Sequence, residues 1–248
     1  MEYILKTEGL TKQYNKRNAI VNIDMSVRSG SVYGLVGRNG AGKTTILKII
    51  GGLAKSSSGK ICFFDNTKQD SKQSTLSVGT LIEEPGFYSD MSARQNLKLK
   101  CLAMGIKSKD HIDELLDIVG LANVGKKSVK KYSLGMKQRL GIALALVGYP
   151  ELVILDEPIN GLDPQGIVEF RKIIARLYSE RKITFIISSH ILGELSKIAT
   201  DYGIIHNGVL IEQISKEQLF EKFGKNETDV QDAFEAYYFD LTGGCEDA

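Results

Sequence analysis

The chain has 248 residues, of which 42% are apolar and 25% charged, as in an ordinary soluble globular protein. Its 32 basic and 30 acidic residues give a net charge of +2, so no strong field points to nucleic acid or an anionic membrane. Cys62, Cys101 and Cys245 are too far apart for a CxxC pair or a zinc knuckle. The first residues do not resemble a signal peptide, and no apolar run approaches the ~18 residues that span a bilayer. We therefore expect a reduced, cytoplasmic protein outside the collagen, coiled-coil, disordered and membrane-spanning classes.

The predicted elements alternate between short apolar strands and helical periodicity, the pattern of an α/β domain. A strand over residues 32–36 enters a glycine-rich turn, which a helix over 45–50 follows. Two more apolar strands are predicted at 152–155 and 183–187, with a helix over about 165–178 between them. Continuous apolar strands of this kind favour a parallel sheet that is covered on both faces.

Three further segments have distinct patterns. Two strand-like runs, 202–206 and 209–213, flank Asn207-Gly208, which is a strong hairpin signal. The middle of the chain is mostly helical in pattern, and its apolar residues fall on one helix face. These residues are Met136, Leu140, Ala143, Leu144 and Val147. The tail predicts a helix docked on the core through Val230, Ala233, Phe234 and Tyr237.

The strongest motif is GRNGAGKTT at residues 37–45, which matches the P-loop pattern GxxxxGK[ST] between a strand and a helix. Its glycines let the backbone curl round an anion, and the helix N-terminus adds its positive end. We expect Lys43 to reach the β- and γ-phosphates, Thr44 to ligate Mg²⁺ and Thr45 to donate to the α-phosphate. The alternative is a chance glycine-rich turn. The predicted nucleotide-binding residues are Gly37, Arg38, Asn39, Gly40, Ala41, Gly42, Lys43, Thr44 and Thr45.

A second motif, LVILDE at residues 152–157, places two carboxylates at the end of a buried strand. Ligands of open α/β sheets bind at this edge. Asp156 suits a magnesium ion, directly or through water, and Glu157 is placed to polarise an attacking water molecule. A solvated strand end is the alternative, and the P-loop makes the functional interpretation the stronger one.

With these motifs in place, nearly the whole chain resembles the ATPase subunits of ATP-binding-cassette (ABC) transporters. The segment YSLGM at 132–136 stands where that family carries its signature LSGGQ. Residues 160–163 are similar to the D-loop, and residues 188–190 to the segment with the switch histidine. Residues 78–83 occupy the place of the Q-loop, and Tyr14 resembles the aromatic residue that stacks on adenine.

The resemblance implies a role for each matching residue. It implies nucleotide contacts from Ser133, Gly135 and Asp163, a γ-phosphate sensor at His190 and adenine stacking on Tyr14. Simpler interpretations exist for three of them. Ser133 can be a helix N-cap, His190 a packed histidine at a strand end and Tyr14 a surface residue.

Two departures from the family pattern concern the Q-loop and the signature. Glu83 stands where glutamine is usual; a carboxylate can still coordinate Mg²⁺ or its water, but it adds negative charge beside the triphosphate. Leu134 and Met136 replace the usual Gly and Gln of the signature. Both departures resemble the bacitracin-resistance and lantibiotic self-protection branch, which expels antimicrobial peptides. That branch is expected to carry Glu at the position of Gln95, so the match is imperfect there.

The resemblance also implies the architecture, which is a P-loop NTPase α/β fold. We expect a doubly wound, mostly parallel core, an antiparallel β lobe at the N-terminus and an inserted helical subdomain. A single ABC ATPase domain would then comprise a core at 1–90 and 150–215, the helical subdomain at 91–149 and a helical tail at 216–248.

The implied function is ATP hydrolysis that powers a separate membrane permease. Mg-ATP would bind between two copies of the chain, or between this chain and a paired ATPase, with Lys43, Glu157 and His190 as catalytic residues. Thr44, Asp156 and Glu83 would hold the metal. The permease, contacted through about residues 83–102, would export an antimicrobial peptide such as a lantibiotic or bacitracin, with this chain peripheral at the inner face of the cell membrane.

Two other classes of function compete with transport. One is an ABC ATPase that acts on DNA, ribosomes or cofactor assembly. Its DNA-associated types usually carry long coiled-coil insertions and its translation types two cassettes, neither of which occurs here. The near-neutral charge predicts no nucleic-acid partner. The other is a P-loop kinase or GTPase. Such a protein would have no role for the signature-like segment, and the sequence contains no NKxD motif.

Overall fold

The computed structural model describes residues 2–63, 77–107, 109–223 and 227–242. Within these ranges the strands are β1 (Tyr3–Tyr14), β2 (Arg17–Ile23), β3 (Ser26–Arg28), β4 (Val32–Val36), β5 (Ser58–Phe63), β6 (Val78–Leu81), β7 (Leu152–Leu155), β8 (Thr184–Ser189), β9 (Asp201–His206) and β10 (Val209–Ser215). The helices are α1 (Lys43–Ile50), α2 (Ala93–Ala103), α3 (Lys109–Ile118), α4 (Leu134–Ala145), α5 (Pro164–Arg181), α6 (Leu192–Leu195), α7 (Lys216–Phe223) and α8 (Glu227–Leu241). Two short 3₁₀ turns precede α4, at Ala122–Val124 and Val129–Lys131.

The strands form two sheets. In the first, β1 pairs antiparallel with β2, β3 and β5, which confirms the antiparallel lobe. The second has the order β10-β9-β4-β8-β7-β6, and its five strands from β9 to β6 run parallel. The antiparallel β9–β10 hairpin turns at Asn207-Gly208, as predicted, because both residues adopt the positive φ that a tight hairpin turn requires.

The apolar-run criterion located the strands of the core but misplaced both ends of β8, which begins at Thr184 instead of residue 183. The predicted strands at 32–36 and 152–155 match β4 and β7, whereas β8 runs to Ser189 instead of ending at residue 187. Ser188 and Ser189 continue the parallel register with Leu35 and Val36. A polar residue can therefore remain in a central strand, because its backbone pairing with β4 stabilises it more than the missing apolar side chain costs.

Helix ends follow local capping chemistry. Helix α5 extends beyond the predicted 165–178 at both ends. Its start is fixed by Asp163, whose side chain caps the first turn by accepting a hydrogen bond from the Gly166 amide at 2.8 Å. Pro164 occupies the first helical position, where the missing amide hydrogen costs nothing. The middle region forms α2, α3 and α4, as the helical pattern predicted. In the tail, the buried ring of Phe234 packs against the ring of Tyr202, with the ring centroids 4.9 Å apart. The side chains of Val230 and Ala233 lie outside the described part.

Apolar side chains cover both faces of the parallel sheet. Tyr33 and Leu35 of β4 pack towards the antiparallel lobe and α1, while Val32 and Val36 pack towards the helical region. This alternation is the reason that β4 and its neighbours are apolar along their whole length. Among the helices of the described ranges, none has the length and apolar character needed to cross a membrane.

Candidate functional site at the carboxyl edge of the parallel sheet

The P-loop connects β4 to α1 and is shaped by its glycines. Gly42 has a φ of +110°, and a side chain there would meet the carbonyl oxygen of Ala19 at 2.9 Å. Only glycine fits this conformation and this close approach. The hairpin turn supports the loop from the other side, because the Gly208 amide donates to the carbonyl of Ala41 at 2.9 Å. The loop is thus held open as a cradle of backbone amides at the N-terminus of α1.

Lys43 is folded back over this loop. Its buried side chain donates from Nζ to the carbonyl oxygens of Gly37 at 2.6 Å and Arg38 at 3.1 Å. The same Nζ lies 3.1 Å from Oε1 of Glu157. The loop lysine and the carboxylate at the end of β7 therefore neutralise one another within one chain.

Asp156 is buried between two hydroxyl groups. Its Oδ2 accepts from Thr44 Oγ1 at 2.8 Å, and its Oδ1 accepts from Ser188 Oγ at 2.6 Å. The Ser188 hydroxyl also accepts from the Glu157 amide at 2.8 Å, so one serine orients both carboxylate residues. Sequence reasoning assigned Ser188 no role. Its position at the carboxyl end of the neighbouring strand was the available signal.

Glu157 connects the lysine to the predicted sensor histidine. Its Oε2 lies 2.8 Å from Nδ1 of His190, and its backbone has a φ of +46°, a conformation that is unfavourable for a residue with a side chain. Buried Oε1 faces Lys43 but accepts no well-directed hydrogen bond from any residue that the structure describes, so it keeps acceptor capacity. The backbone strain and the two partners together fix a carboxylate that can bind a water molecule.

The P-loop and the strand end enclose a cleft of about 460 Å³. It is lined by Asn18, Ala19, Asn39, Gly40, Gly42, Lys43, Thr44, Thr45, Glu157, Asn207 and Gly208. Six of the nine predicted P-loop residues and Glu157 line this cleft, whereas Gly37, Arg38 and Ala41 do not. Asn18 and Asn207 are additions that no sequence pattern indicated, and nucleotide binding by these residues stays a prediction. Tyr14 does not line this cleft; its ring is half exposed, 4.8 Å from the Lys12 ammonium.

The donor atoms present fit magnesium better than a transition metal. The Thr44 hydroxyl and the Asp156 carboxylate are hard oxygen donors 2.8 Å apart, and Mg²⁺ is usually held by one or two such groups together with water and phosphate. Within the described ranges, no cluster of three His, Cys, Asp or Glu residues could hold a metal alone. The third predicted metal residue, Glu83, pairs through Oε1 with Lys48 Nζ at 2.6 Å, and its role as a metal contact stays a prediction.

The signature segment, residues 132–136, lies on a different surface from the cleft. Ser133 caps α4, its Oγ accepting from the Met136 amide at 3.3 Å, so the N-cap interpretation is confirmed. Leu134 is 52% exposed and lies against the D-loop at Gly161. Neither Ser133, Gly135 nor Asp163 lines the P-loop cleft within the described part of the chain. One chain therefore separates its two predicted nucleotide-binding surfaces.

Comparison with known proteins identifies the family. A sequence model described as ABC transporter matches residues 20–160. The chain belongs to the ABC transporter family. It is 49% identical to the bacitracin transport ATP-binding protein BcrA of Bacillus licheniformis, over 88% of this chain and 72% of that protein. It is 46% identical to the lantibiotic transport ATP-binding protein SrtF of Streptococcus pyogenes, over 89% and 96% of the two chains.

Solved structures agree with this assignment. The chain is 29% identical to CbiO1 of Clostridium perfringens, described as part of an ABC transporter complex, with a TM-score of 0.74 over 95% of this chain and all of the other. It is 26% identical to an ATP-binding subunit of an ABC transporter, with a TM-score of 0.78 over 96% and 99%. The predicted fold class, the family and its bacitracin and lantibiotic branch are confirmed, and the chain is an ABC transporter ATPase subunit. The kinase or GTPase interpretation is wrong.

Proposed function

We propose that the chain binds Mg-ATP in the P-loop cleft, hydrolyses it between two cassettes and powers export of an antimicrobial peptide through a separate permease. One observation carries the proposal. Lys43, Thr44, Asp156, Glu157 and His190 converge by direct contacts of 2.8–3.1 Å at one edge of the sheet. These groups are the ones that phosphoryl transfer requires.

The geometry supports a division of labour among these residues. An incoming triphosphate replaces Glu157 as the partner of Lys43, because three phosphates offer more negative charge than one carboxylate. Glu157 is then released from Lys43 and orients the attacking water, while His190 holds Glu157 and reaches the γ-phosphate. Thr44 and Asp156 would hold Mg²⁺, which supplies charge neutralisation to the transferring phosphoryl group. Ser188 keeps Asp156 in place throughout.

A second cassette would complete the site. The capped N-terminus of α4 presents Ser133 and Gly135 at the surface, and a helix N-terminus favours negative charge. Leu134 beside them is exposed although it is large and apolar, as expected for a residue that a partner covers. We infer that this surface meets the γ-phosphate side of the P-loop cleft in another copy or in a paired ATPase.

A groove beside the loop after β6 is the proposed permease contact. It measures about 360 Å³ and lies between that loop, α2 and α4. It is lined by Thr80, Leu81, Pro85, Gly86, Tyr88, Asn96, Leu99, Lys100, Ala103, Gly141 and Leu144. Tyr88, which lines the groove, is 64% exposed, and Leu102, next in the chain to the lining residue Ala103, is 56% exposed. Both lie within the predicted contact of residues 83–102. A short helix of a permease would bury these side chains and bring this chain to the inner face of the membrane.

The relatives support the class of cargo. BcrA is named for bacitracin transport and SrtF for lantibiotic transport, and both match most of this chain at 46–49% identity. Both cargoes are antimicrobial peptides, so we propose a peptide of that class. An ABC ATPase acting on DNA or ribosomes is less well supported, because the net charge of +2 offers no strong field for nucleic acid.

The test is to co-express the chain with the membrane proteins encoded beside it in a bacterium sensitive to bacitracin and lantibiotics. We expect the minimal inhibitory concentration of one peptide to rise, and the rise to disappear with Glu157→Gln. In proteoliposomes, the same peptide should stimulate ATP hydrolysis. Resistance that survives Glu157→Gln would contradict the proposed coupling, and retention of ribosomes or DNA in place of a membrane protein would favour the other class.

A further inference from the structure

Glu83 has a cationic partner that the proposed reaction does not use. Its Oε1 lies 2.6 Å from Nζ of Lys48, in the last turn of α1, the helix that begins at Lys43. The backbone of Lys48 is fixed, because its carbonyl oxygen accepts from the amides of Leu53 and Ala54 at 2.8 and 3.1 Å. The P-loop helix thus carries a lysine at each end, and each contacts a different carboxylate.

The start of the loop after β6 is pressed against this helix end. Gly51 follows α1, and a side chain there would meet Thr80 at 3.0 Å and Ile82 at 3.4 Å. Glu83 itself has a φ of +60°, which is unfavourable for a residue with a Cβ by about 1–2 kcal/mol. This close packing and unusual backbone conformation place the carboxylate beside Lys48.

The position of Glu83 would make an unpaired charge disruptive. Strand β6 lies next to β7, and the Asp156 amide donates to the carbonyl of Leu81 at 2.8 Å. Glu83 therefore leaves the sheet at the same edge as Asp156 and Glu157. Leu81 is paired with Leu155, so Glu83 and Glu157 each stand two residues beyond a paired position, at the ends of strands about 4.8 Å apart. A Glu83 carboxylate without a cation would therefore add negative charge at this edge and repel an incoming triphosphate.

We propose that Lys48 is a positioning residue for Glu83. Lys48 neutralises this carboxylate and holds it beside α1, so that no unpaired charge on the loop after β6 opposes the triphosphate. The inference rests on the proposed binding of Mg-ATP at this cleft. The pair is partly exposed, with side-chain exposures of 30% for Lys48 and 61% for Glu83. Such a pair contributes at most about 1 kcal/mol, so Glu83 can exchange partners when the metal-bound nucleotide arrives.

The experiment measures the affinity of the purified chain for a fluorescent ATP analogue, once in EDTA and once in excess Mg²⁺. Lys48→Met should weaken binding in EDTA by about threefold to tenfold, because the freed carboxylate repels the bare triphosphate. In Mg²⁺ the change should stay below about twofold, because the metal screens that repulsion. Lys48→Arg should behave like the original chain, and adding Glu83→Gln to Lys48→Met should restore the EDTA affinity.

Two matched variants keep the result interpretable. Lys60→Met breaks an exposed pair with Glu8 of 2.7 Å on the antiparallel sheet, and it should leave both affinities unchanged. Glu83→Gln alone leaves the charge of Lys48 unopposed and should strengthen binding in EDTA by about threefold. Equal losses in EDTA and Mg²⁺, or no rescue by Lys48→Arg, would overturn the role of Lys48 while the proposed function stands. An original chain that binds no nucleotide in Mg²⁺ would overturn the proposed function itself.

Discussion

The P-loop cleft and the signature surface differ in how far one chain completes them. At the cleft and the adjoining strand ends, Lys43 and His190 contact Glu157, and Thr44 and Ser188 contact Asp156. At the signature, Ser133 uses its hydroxyl to cap α4, and Leu134 is left 52% exposed. The first surface is preorganised by contacts within the chain, whereas the second, as we propose, gains its partners on association with another cassette.

This difference suggests two kinds of sensitivity to mutation. Changes in the cleft should alter chemistry and stability in the isolated chain, because the contacts that they remove are internal. Changes at the signature should leave the fold and single-chain binding intact and should appear only when two cassettes meet. The predictions below test that separation, from the largest expected effect to the smallest.

The largest effect is expected at Glu157. Glu157→Gln removes the base that orients water and should reduce phosphate release by about 10²–10⁴-fold while ATP binding persists. ATP-bound dimers should then accumulate in light scattering. Glu151→Gln is the matched control, because Glu151 is an exposed carboxylate before the opposite end of β7. Normal phosphate release by Glu157→Gln would remove this residue from the proposed reaction.

The signature surface should respond through association. Leu134→Asp places an unpaired charge where a second cassette would cover it, which should weaken ATP-dependent dimerisation and turnover by about 30-fold or more. ATP binding to the single chain should be unchanged in equilibrium titration. Leu102→Asp is equally exposed on α2, within the proposed permease contact, and should leave dimerisation intact. If both variants dimerise like the original chain, the proposed role of the signature surface is wrong.

Ser188 tests whether the cleft depends on its internal contacts. Ser188→Ala leaves Asp156 and the Glu157 amide without a buried partner, so we expect a loss of about 1–3 kcal/mol in the free energy of unfolding and about tenfold in turnover. Thr184→Val removes a buried hydroxyl from the opposite end of the same strand, where it accepts from the Gly30 amide at 2.9 Å. It should lower stability alone. Equal turnover in the two variants would contradict the role of Ser188.

Tyr14 offers a smaller test, because the structure leaves its ring half exposed and outside the cleft lining. The chain contains no tryptophan, so Tyr14→Trp provides a single reporter. If the ring moves onto adenine when nucleotide binds, its fluorescence should change on titration with ATP. Tyr3→Trp, at the far end of β1, serves as the reference. Identical responses from the two positions would count against adenine stacking by Tyr14.

The smallest effect concerns the helical region. Burial lowers the pKa of His111 below its usual value, with Glu114 opposing the shift and Arg181 adding to it. The Nε2 of His111 accepts from the Gly148 amide at 3.1 Å. Because the folded-state pKa lies below the unfolded one, stability is complete above about pH 6.5 and declines as the pH falls through the folded-state pKa. Urea unfolding at pH 7.5 and 5.5 should show this decline, and His111→Gln should reduce it. An unchanged pH dependence in His111→Gln would assign the decline to other groups.

Local patterns carried most of the interpretation. Windows of about ten residues are enough to recognise the P-loop, the Asp156-Glu157 pair and the apolar strands. Each of these features requires a particular backbone conformation and burial, which restrict the residue types that can stand at each position. The same holds for the Asn207-Gly208 turn. The ends of elements were less predictable, as Ser188 and Ser189 show, since strand pairing extended β8 beyond its apolar run.

The amino-acid sequence by itself determined the family, the alternating architecture and the candidate residues for a triphosphate site. Only the tertiary structure decided that Ser188 orients both carboxylate residues, that Glu83 pairs with Lys48 and that Asn18 and Asn207 line the cleft. These contacts join segments that are about 20 or more residues apart in the chain. Sheet order and helix packing bring them together, and no local spacing of residue types can encode such proximity.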